Sequence, residues 1–259
     1  DADAVHIGIK SKLVPYFYHS PVDVTDSNQP DTVSDEIQEA LQVYTEHVQE
    51  RAEKLSYDVI YAHDWLSIGA ALELKNKYHK PMVLHIHSLD YDRVGKKTNS
   101  WIYQLEKEGM EKADEVIAVS AYHARVMQKE YGINKDKISV IHLGIEATEP
   151  NDYQSPFQED IVLFAGRLSH QKGIFDFIEI AAALLKEHDK LRFVVAGDGE
   201  LSQEVVSRVN EKGLQQHFHF VGRLERPALH GLMQQCKVLV IPSVSEPFGL
   251  VAFEAALND

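Results

Sequence analysis

Two cations stand five positions apart where a predicted strand passes into a predicted helix. Arg167 and Lys172 belong to the segment GRLSHQKG, which follows the apolar run Ile161–Ala165. In a parallel sheet such a loop lies at the carboxyl edge, where α/β proteins bind ligands, and the next helix begins there with a favourable potential for an anion. An arginine fork and a lysine point charge suit a diphosphate. On spacing alone, two solvated cations are an equally good interpretation.

Two carboxylates stand eight positions apart after another apolar run. Glu246 follows Val238–Pro242 in a loop, and Glu254 lies two turns into the next predicted helix. Both can accept hydrogen bonds from sugar hydroxyls, and Glu254 lies in the apolar run VAFEAAL, where an unpaired charge is costly. This burial argues against a merely solvated helix face. Backbone N–H groups at the helix start can face an anion; they belong to Phe248, Gly249 and Leu250.

Histidines form a third polar group, in the first half of the chain. His85 and His87 alternate along the predicted strand Met82–His87, so their imidazoles share one face, and His63 and Asp64 are near in the expected sheet order. Imidazole and carboxylate groups ligate transition metals. A metal-dependent hydrolase that uses His85 and His87 is therefore an alternative from a different enzyme class, although fourteen histidines make chance pairs common.

Three short motifs carry little information. Residues 90–92 read as the Asp-x-Asp of metal-dependent transferases, but three residues are weak evidence. Residues 197–199 begin like a dinucleotide fingerprint and lack its third glycine, so they do not support NAD binding. Residues 95–98 lack the leading glycine of a phosphate loop and are interpreted as a polar loop.

The elements that must position these residues alternate between strand and helix. Apolar residues recur every three or four positions across Val33–Leu55, which predicts a helix with one buried face. Short β-branched runs alternate with helical segments from there to the end, which is typical of an α/β protein with parallel sheets. The predicted strands are Asp58–Ala62, Met82–His87, Glu115–Val119, Ile138–His142, Ile161–Ala165, Arg192–Ala196, His217–Val221 and Val238–Pro242.

One interval interrupts this alternation. Glu146–Asp160 holds two prolines and a cluster of turn residues without any periodicity. We therefore predict two Rossmann-like domains, residues 1–148 and residues 149–259. The first thirty residues are expected to form a sheet edge and a polar loop without the usual glycine-rich first turn, and the last strand-helix unit ends abruptly. Both domains are expected to be incomplete.

The amino-acid composition limits which kinds of partner the chain is expected to bind. The chain has 26 Lys and Arg against 40 Asp and Glu, a formal charge of −14, which disfavours nucleic acid. Since no run approaches about 18 apolar residues, no membrane span is expected, while peripheral membrane contact stays open. Cys236 is the single cysteine, so an intramolecular disulfide and a zinc site built on several thiolates are excluded. The first residues lack the pattern of a signal peptide and an initiator Met, and a cytoplasmic location is expected.

Several of these motifs resemble one enzyme family. FAGRLSHQKG, VVAGDGEL and EPFGLVAFE resemble the donor-binding half of retaining glycosyltransferases of family 4, which include bacterial and archaeal glycogen synthases and sucrose-phosphate synthase. DVIYAHDW, MVLHIH and KADEVIAVSAYHARVM resemble the acceptor-side half of that family. The resemblance implies a GT-B fold, in which two Rossmann-like domains face each other across a cleft and the second holds a nucleotide sugar.

The resemblance also implies roles for individual residues. Arg167 and Lys172 neutralise the donor diphosphate in place of a metal, so no metal and no cofactor beyond the nucleotide sugar are expected. Glu246 contacts the donor sugar and Glu254 the ribose. His87 approaches the donor sugar from across the cleft, although Ser88 follows it where the family often has Asn. Further implied contacts are Gly166 and the amides of Phe248, Gly249 and Leu250 to the donor, and Asp64 and Trp65 to the acceptor.

The implied reaction transfers a sugar from a nucleotide diphosphate to an acceptor hydroxyl and retains the anomeric configuration, as in glycogen synthase. A carbohydrate or a small molecule is expected as acceptor. Two other interpretations stay open beside the hydrolase. The chain could be an inactive fragment that binds a nucleotide sugar, or it could be related to nucleotide-sugar epimerases of the same architecture, against which the Glu246 to Glu254 spacing argues.

Overall fold

The computed structural model describes residues 32–95, 99–145 and 156–258. These residues form two compact units: the first runs to His142, and the second begins at Leu143 and includes the short segment Asp92–Gly95. The sheet edge and polar loop predicted for the first thirty residues, most of the predicted linker and the predicted boundary after residue 148 lie outside the described residues.

The first sheet has four parallel strands in the order β1-β2-β3-β4. Val83 and Glu115 are aligned between β2 and β3, and His63 and His85 between β1 and β2. Up to residue 145 the elements are α1 (Thr32–Ala52), β1 (Ile60–His63), α2 (Asp64–Tyr78), β2 (Met82–Ile86), α3 (Asp90–Val94), α4 (Trp101–Lys112), β3 (Glu115–Ala118), α5 (Ala121–Glu130), a 3₁₀ turn (Lys135–Lys137) and β4 (Ile138–Val140).

Alternation along these strands separates an apolar face from a polar one. Side chains at every second position pack with Ile68 of α2 and Met110 of α4 in one apolar core. The residues between them point to the opposite face, which places Tyr61 and His63 of β1 beside His85 of β2. The strands contribute Ile60, Ala62, Met82, Leu84, Ile86, Val116 and Ala118 to the core.

The second sheet is also parallel, in the order β7-β6-β5-β8. The chain adds strands in one direction from β5 to β7 and then returns to the other side of β5 with β8. This reversal is a topological switch point, where α/β sheets bind ligands at their carboxyl edge. The elements are β5 (Asp160–Ala165), α6 (Ile174–Leu184), β6 (Leu191–Ala196), α7 (Ser202–Glu211), β7 (Phe218–Gly222), α8 (Arg226–Gln235), β8 (Cys236–Leu239) and α9 (Leu250–Ala256).

Both faces of the second sheet are covered by helices. Val162 and Phe164 of β5 pack with Phe177 of α6 and Val205 of α7, whereas Ile161 and Leu163 pack with Leu232 of α8 and Val251 of α9. Burial on two faces explains why these strands read as continuous apolar runs rather than as alternating ones.

All eight predicted strands and the first predicted helix are present, with ends displaced by up to three residues. The strand predicted to end at Pro242 ends at Leu239, but the N–H of Val240 still donates to the carbonyl of Leu163, at 2.8 Å, and so continues the ladder. The predicted α/β class is confirmed. Among the described residues, none of the helices has the length and apolar character needed to cross a membrane.

Glycines let two loops meet at the carboxyl edge of the second sheet. The N–H of Gly166 donates to the carbonyl of Ala196, and the N–H of Leu168 donates to that of Asp198. A Cβ atom at Gly197 would lie 1.8 Å from the carbonyl oxygen of Gly166, and one at Gly199 would lie 2.4 Å from that of Leu168. The Gly-Asp-Gly segment therefore serves backbone packing between these loops.

We expect Gly197→Ala to destabilise the protein by about 2 to 5 kcal/mol, because the new methyl group overlaps the carbonyl of Gly166 in addition to being strained by its positive φ. Gly213→Ala is the matched control: Gly213 also has positive φ, of 70°, but a Cβ there meets no atom within 4 Å, so a loss of about 1 to 2 kcal/mol is expected. Urea unfolding followed by circular dichroism measures both. Equal losses would contradict the packing role.

Candidate functional site

The two loops that carry the predicted donor residues leave neighbouring strands. β5 pairs directly with β8, so residues 166–173 and residues 240–249 lie at the same carboxyl edge, at the switch point of the sheet. The structure therefore brings the loop of the two predicted cations next to the loop of the first predicted carboxylate. This closeness follows from strand order, because the loops are more than 65 residues apart in sequence.

An ion pair joins the two loops. Lys172 Nζ lies 2.9 Å from Oε1 and 2.8 Å from Oε2 of Glu246, and both side chains are about one quarter exposed. Ser243 Oγ donates to Glu246 Oε2 at 3.0 Å. The carboxylate is thus oriented by two partners, while each group keeps a solvent-accessible side from which a ligand can approach.

Backbone contacts hold these loops in place. The N–H of Val244 donates to the carbonyl of Gln171 at 2.9 Å, and Gln171 Nε2 donates to the carbonyl of Ser245 at 3.3 Å. Gly173, the residue just before α6, has a φ of 68°. A Cβ atom on it would lie 2.0 Å from the carbonyl oxygen of Pro242. Glycine is therefore required at this point of close approach.

The other predicted donor residues lie in the same two loops or in α9. Arg167 is half-buried in the first loop, next to Gly166. Gly249 has a φ of 86° and stands before α9, whose first residue is Leu250, and the ring of Phe248 stacks on Phe253 at 5.2 Å. These placements agree with a loop that passes directly into a helix.

Glu254 differs from the sequence-based expectation. Among its described residues α9 has none that is fully buried, and Glu254 itself is partly exposed. The apolar run around Glu254 therefore does not bury its charge, since its neighbours Ala252 and Phe253 are themselves exposed. Its contact with a ribose stays a prediction that rests on the resemblance alone.

In the first unit, Asp64 orients His87. Asp64 Oδ1 accepts the backbone N–H of His87 at 2.6 Å, and Oδ2 lies 3.2 Å from His87 Nδ1. Burial by itself raises the pKa of the Asp64 carboxyl, but the hydrogen bonds and charge of His87 and the N–H of Ser88 outweigh it, so the pKa lies below its usual range. Asp64 also has a φ of 54°, which asparagine and aspartate tolerate better than most residues.

His87 belongs to a cluster of three histidines. The rings of His85 and His87 stack at 4.2 Å between centroids, and His63 stacks on His87 at 5.3 Å. The hydroxyl of Tyr61 lies 3.0 Å from His85 Nδ1. Burial, reinforced by the charges of His87 and His63, lowers the pKa of His85 to about 4, so this imidazole is neutral near pH 7.

The second predicted acceptor residue has a packing role. The indole of Trp65 lies against the apolar core of the first unit and meets Trp101 edge to face at 5.5 Å. Its contact with an acceptor stays a prediction. Sequence reasoning missed Gln171, Ser243 and Tyr61 as partners of these sites. Tyr61 was the easiest of them to find from the sequence, because it stands two positions before His63, which lies directly after the predicted strand Asp58–Ala62.

Two family models match successive parts of the chain. The family model for glycosyl transferases group 1 matches residues 146–258, and that for glycosyltransferase family 4 matches residues 24–149. An uncharacterized glycosyltransferase of Methanocaldococcus jannaschii is 31% identical over 216 residues, which cover 77% of this chain and 55% of that protein. Glycogen synthase of Mycobacterium tuberculosis is 31% identical over 205 residues, 77% of this chain and 50% of the synthase.

A third relative differs in its named acceptor. D-inositol 3-phosphate glycosyltransferase of Mycolicibacterium paratuberculosis is 29% identical over 219 residues, which cover 77% of this chain and 49% of that enzyme. The chain spans about half the length of the curated relatives it matches.

Solved structures show the same fold. Sucrose-phosphate synthase from Thermosynechococcus elongatus superposes with a TM-score of 0.75 at 23% identity, over 98% of this chain and 65% of the synthase. Anabaena HepE, solved in complex with UDP-glucose, superposes with a TM-score of 0.69 at 24% identity, over 89% of this chain and 63% of HepE. The chain therefore belongs to the GT-B glycosyltransferases related to family 4. Nothing in these comparisons favours the metal-dependent hydrolase.

We expect Asp64→Asn to lower stability by about 1 to 2 kcal/mol, because it removes the charge from two hydrogen bonds to His87 while asparagine still tolerates the positive φ. Asp64→Ala is expected to lose about 1 to 2 kcal/mol more, since alanine is also strained there.

This loss has a defined pH dependence. The folded Asp64 carboxyl has the lower pKa, so its contribution is complete above about pH 4 and disappears as the pH falls through that lower value. Urea unfolding between about pH 5 and pH 3 should therefore show that the difference in unfolding free energy between wild type and Asp64→Asn shrinks as the pH falls. A difference that grows in acid would contradict the role given to Asp64.

Proposed function

We propose that this chain carries the donor and acceptor sites of a retaining glycosyltransferase, which moves a sugar from a nucleotide diphosphate to an acceptor hydroxyl. The observation that carries this proposal is the Lys172–Glu246 ion pair at the switch point of the second sheet. In this pair a cation, which can bind a diphosphate, is in direct contact with a carboxylate, which can accept hydrogen bonds from sugar hydroxyls. A nucleotide sugar presents phosphate oxygens and hydroxyl groups side by side, because its sugar is bonded directly to its phosphate.

The chemistry asked of these groups is electrostatic. As the sugar leaves the diphosphate, positive charge develops on the sugar ring and negative charge on the leaving oxygen. Arg167 and Lys172 stabilise the leaving group, in the role that a metal ion has in other transferases, and Glu246 lies on the side of the developing cation. Charges fixed before the reaction stabilise it without reorganisation, and removing one such donor typically slows catalysis about 10²- to 10³-fold.

The first unit supplies His87 to the donor sugar and Asp64 to the acceptor side. The bond from Asp64 to the backbone of His87 fixes the end of β2, and the contact with Nδ1 fixes the ring. Asp64 thereby acts as a positioning residue for His87 in addition to any contact with the acceptor. Trp65 is expected at the edge of that acceptor site. Retention without a carboxylate nucleophile implies attack on the face from which the diphosphate departs.

UDP-glucose is the first donor to test, because the related Anabaena HepE was solved with it. The named acceptors of the relatives differ, since one is a glycogen synthase and another acts on D-inositol 3-phosphate. A panel of UDP-, ADP- and GDP-sugars, with a glucan and an inositol phosphate as acceptors, separates these possibilities by product analysis. Binding without turnover across the panel would favour the inactive nucleotide-sugar-binding fragment.

We expect Arg167→Ala and Lys172→Ala each to weaken nucleoside diphosphate binding about 10- to 100-fold, since each removes charge-assisted hydrogen bonds to phosphate. Isothermal titration calorimetry with UDP, ADP and GDP measures the change. Lys186→Ala is the matched control, because Lys186 follows the carboxyl end of α6 at the opposite edge of the sheet and is exposed. If both site variants bind like the control, the donor site proposed here is wrong.

Glu246→Gln separates sugar binding from phosphate binding. It removes the charge that holds Lys172, so affinity for the free nucleoside diphosphate should stay within about threefold or rise. Affinity for the nucleotide sugar and the transfer rate should fall about 10- to 100-fold, because a charged acceptor of sugar hydroxyls is lost.

The control for Glu246→Gln is Glu187→Gln, an exposed site beyond the end of α6. If nucleoside diphosphate and nucleotide sugar lose affinity equally, Glu246 orders the loop and does not contact the sugar. Comparison of the two ligands on one variant therefore assigns its role.

A further inference from the structure

The three histidines of the first unit form a cluster that the proposed transfer reaction does not use as a whole. One ring nitrogen from each of His63, His85 and His87 lies within 4.8 Å of the other two. The cluster follows from the sheet: His63 and His85 are register partners on β1 and β2, and His87 stands two positions beyond His85. The two neighbouring strands thus bring the three side chains together.

Neighbouring groups already engage one nitrogen of two rings. Tyr61 hydroxyl contacts His85 Nδ1 at 3.0 Å, and Asp64 Oδ2 faces His87 Nδ1 at 3.2 Å. Metal-ligating histidines commonly have such a carboxylate or oxygen partner on the nitrogen that does not bind the metal. This arrangement leaves the Nε2 atoms of His85 and His87 for a ligand.

His85 Nε2 supports this assignment independently. His85 is only 8% exposed, and within the described part of the chain its Nε2 has no hydrogen-bond partner. A buried polar atom without a partner is uncommon in native proteins and calls for an explanation such as a bound ion. The exposed His63 and half-exposed His87 leave a path by which an ion can reach it.

We propose that His63, His85 and His87 bind a divalent transition metal ion of the class that prefers imidazole, represented by Zn²⁺. Three neutral imidazoles are a common protein ligand set for such an ion, and they leave one coordination position to water or a ligand. Tetrahedral Zn²⁺ brings its nitrogen ligands to about 3.4 Å apart. The ion also lies in the plane of each imidazole that binds it, so the stacked rings, whose nitrogens lie within 4.8 Å of one another, must turn about their side-chain bonds to bind it. Mg²⁺ and Ca²⁺, which require oxygen ligands, are excluded from this site.

Metal binding also affects transfer, and this consequence rests on the proposed function. A metal that holds His87 withdraws it from the donor sugar. Zn²⁺ is therefore expected to inhibit sugar transfer, and a chelator is expected to restore it. This predicts regulation of the transferase by the metal rather than a metal-dependent reaction.

The direct test is titration of the chain with ZnCl₂ by calorimetry and with CoCl₂ by visible absorption, which reports four-coordinate Co²⁺. One equivalent of either metal should bind and MgCl₂ should not. His63→Ala, at an exposed position, should abolish the Co²⁺ spectrum, and Tyr61→Phe should weaken binding about 10- to 100-fold as expected for a partner of a ligating histidine. His188→Ala, at an exposed histidine of the second unit, should bind like wild type.

The outcomes distinguish this proposal from the proposed function. Zn²⁺ binding that His63→Ala and His188→Ala leave equally unchanged would overturn the metal site, as would the absence of stoichiometric binding. Both measurements need no sugar transfer, so they stand even if the chain has no transferase activity. Conversely, failure of the metal site leaves the nucleotide titrations of Lys172→Ala unaffected.

Discussion

The ion pair between Lys172 and Glu246 is the interaction on which the proposed donor site depends. It joins two loops 74 residues apart, at side chains that remain about one quarter exposed. An exposed pair of this kind contributes little to stability, about 0 to 1 kcal/mol. Its importance is therefore positional: it holds a cation and a carboxylate at one place until a ligand with both a phosphate and hydroxyl groups can engage each of them.

Close backbone contacts hold the loops around the ion pair in place. The approach of Gly173 to Pro242, and of Gly197 to Gly166, leaves no room for a Cβ atom at either glycine. Loops fixed by such contacts do not need the ion pair for their shape. The pair can consequently open on ligand binding without loss of the surrounding structure, which a pair buried in the core could not do.

Much of the fold was predictable because its signals are local. Short apolar runs predicted all eight strands, and helical periodicity predicted the first helix. The alternation of strands and helices implied that the loops after β5 and β8 lie at a carboxyl edge. The pairing of β5 with β8 was not predictable in this way, since strand order depends on long-range packing. The same limit applies to Glu254, whose apolar flanks suggested burial although Ala252 and Phe253 beside it are exposed. A resemblance to a family supplied the roles that neither periodicity nor spacing contains.

The net charge of −14 and the binding of an anion are compatible because screening limits the range of each charge. At physiological ionic strength the Debye length is about 8 Å, so exposed carboxylates elsewhere on the chain hardly affect a phosphate held in the loops. Within that radius Glu246 is the carboxylate that contacts Lys172 directly. In the function proposed above, a bound nucleotide sugar relieves both groups, because its phosphate takes the cation while its hydroxyls donate to the carboxylate. An inorganic diphosphate satisfies only the cation and leaves Glu246 facing a second anion. In the proposed donor site the ion pair thus favours a nucleotide sugar over a bare polyphosphate, and it does so by a local repulsion that composition could not reveal.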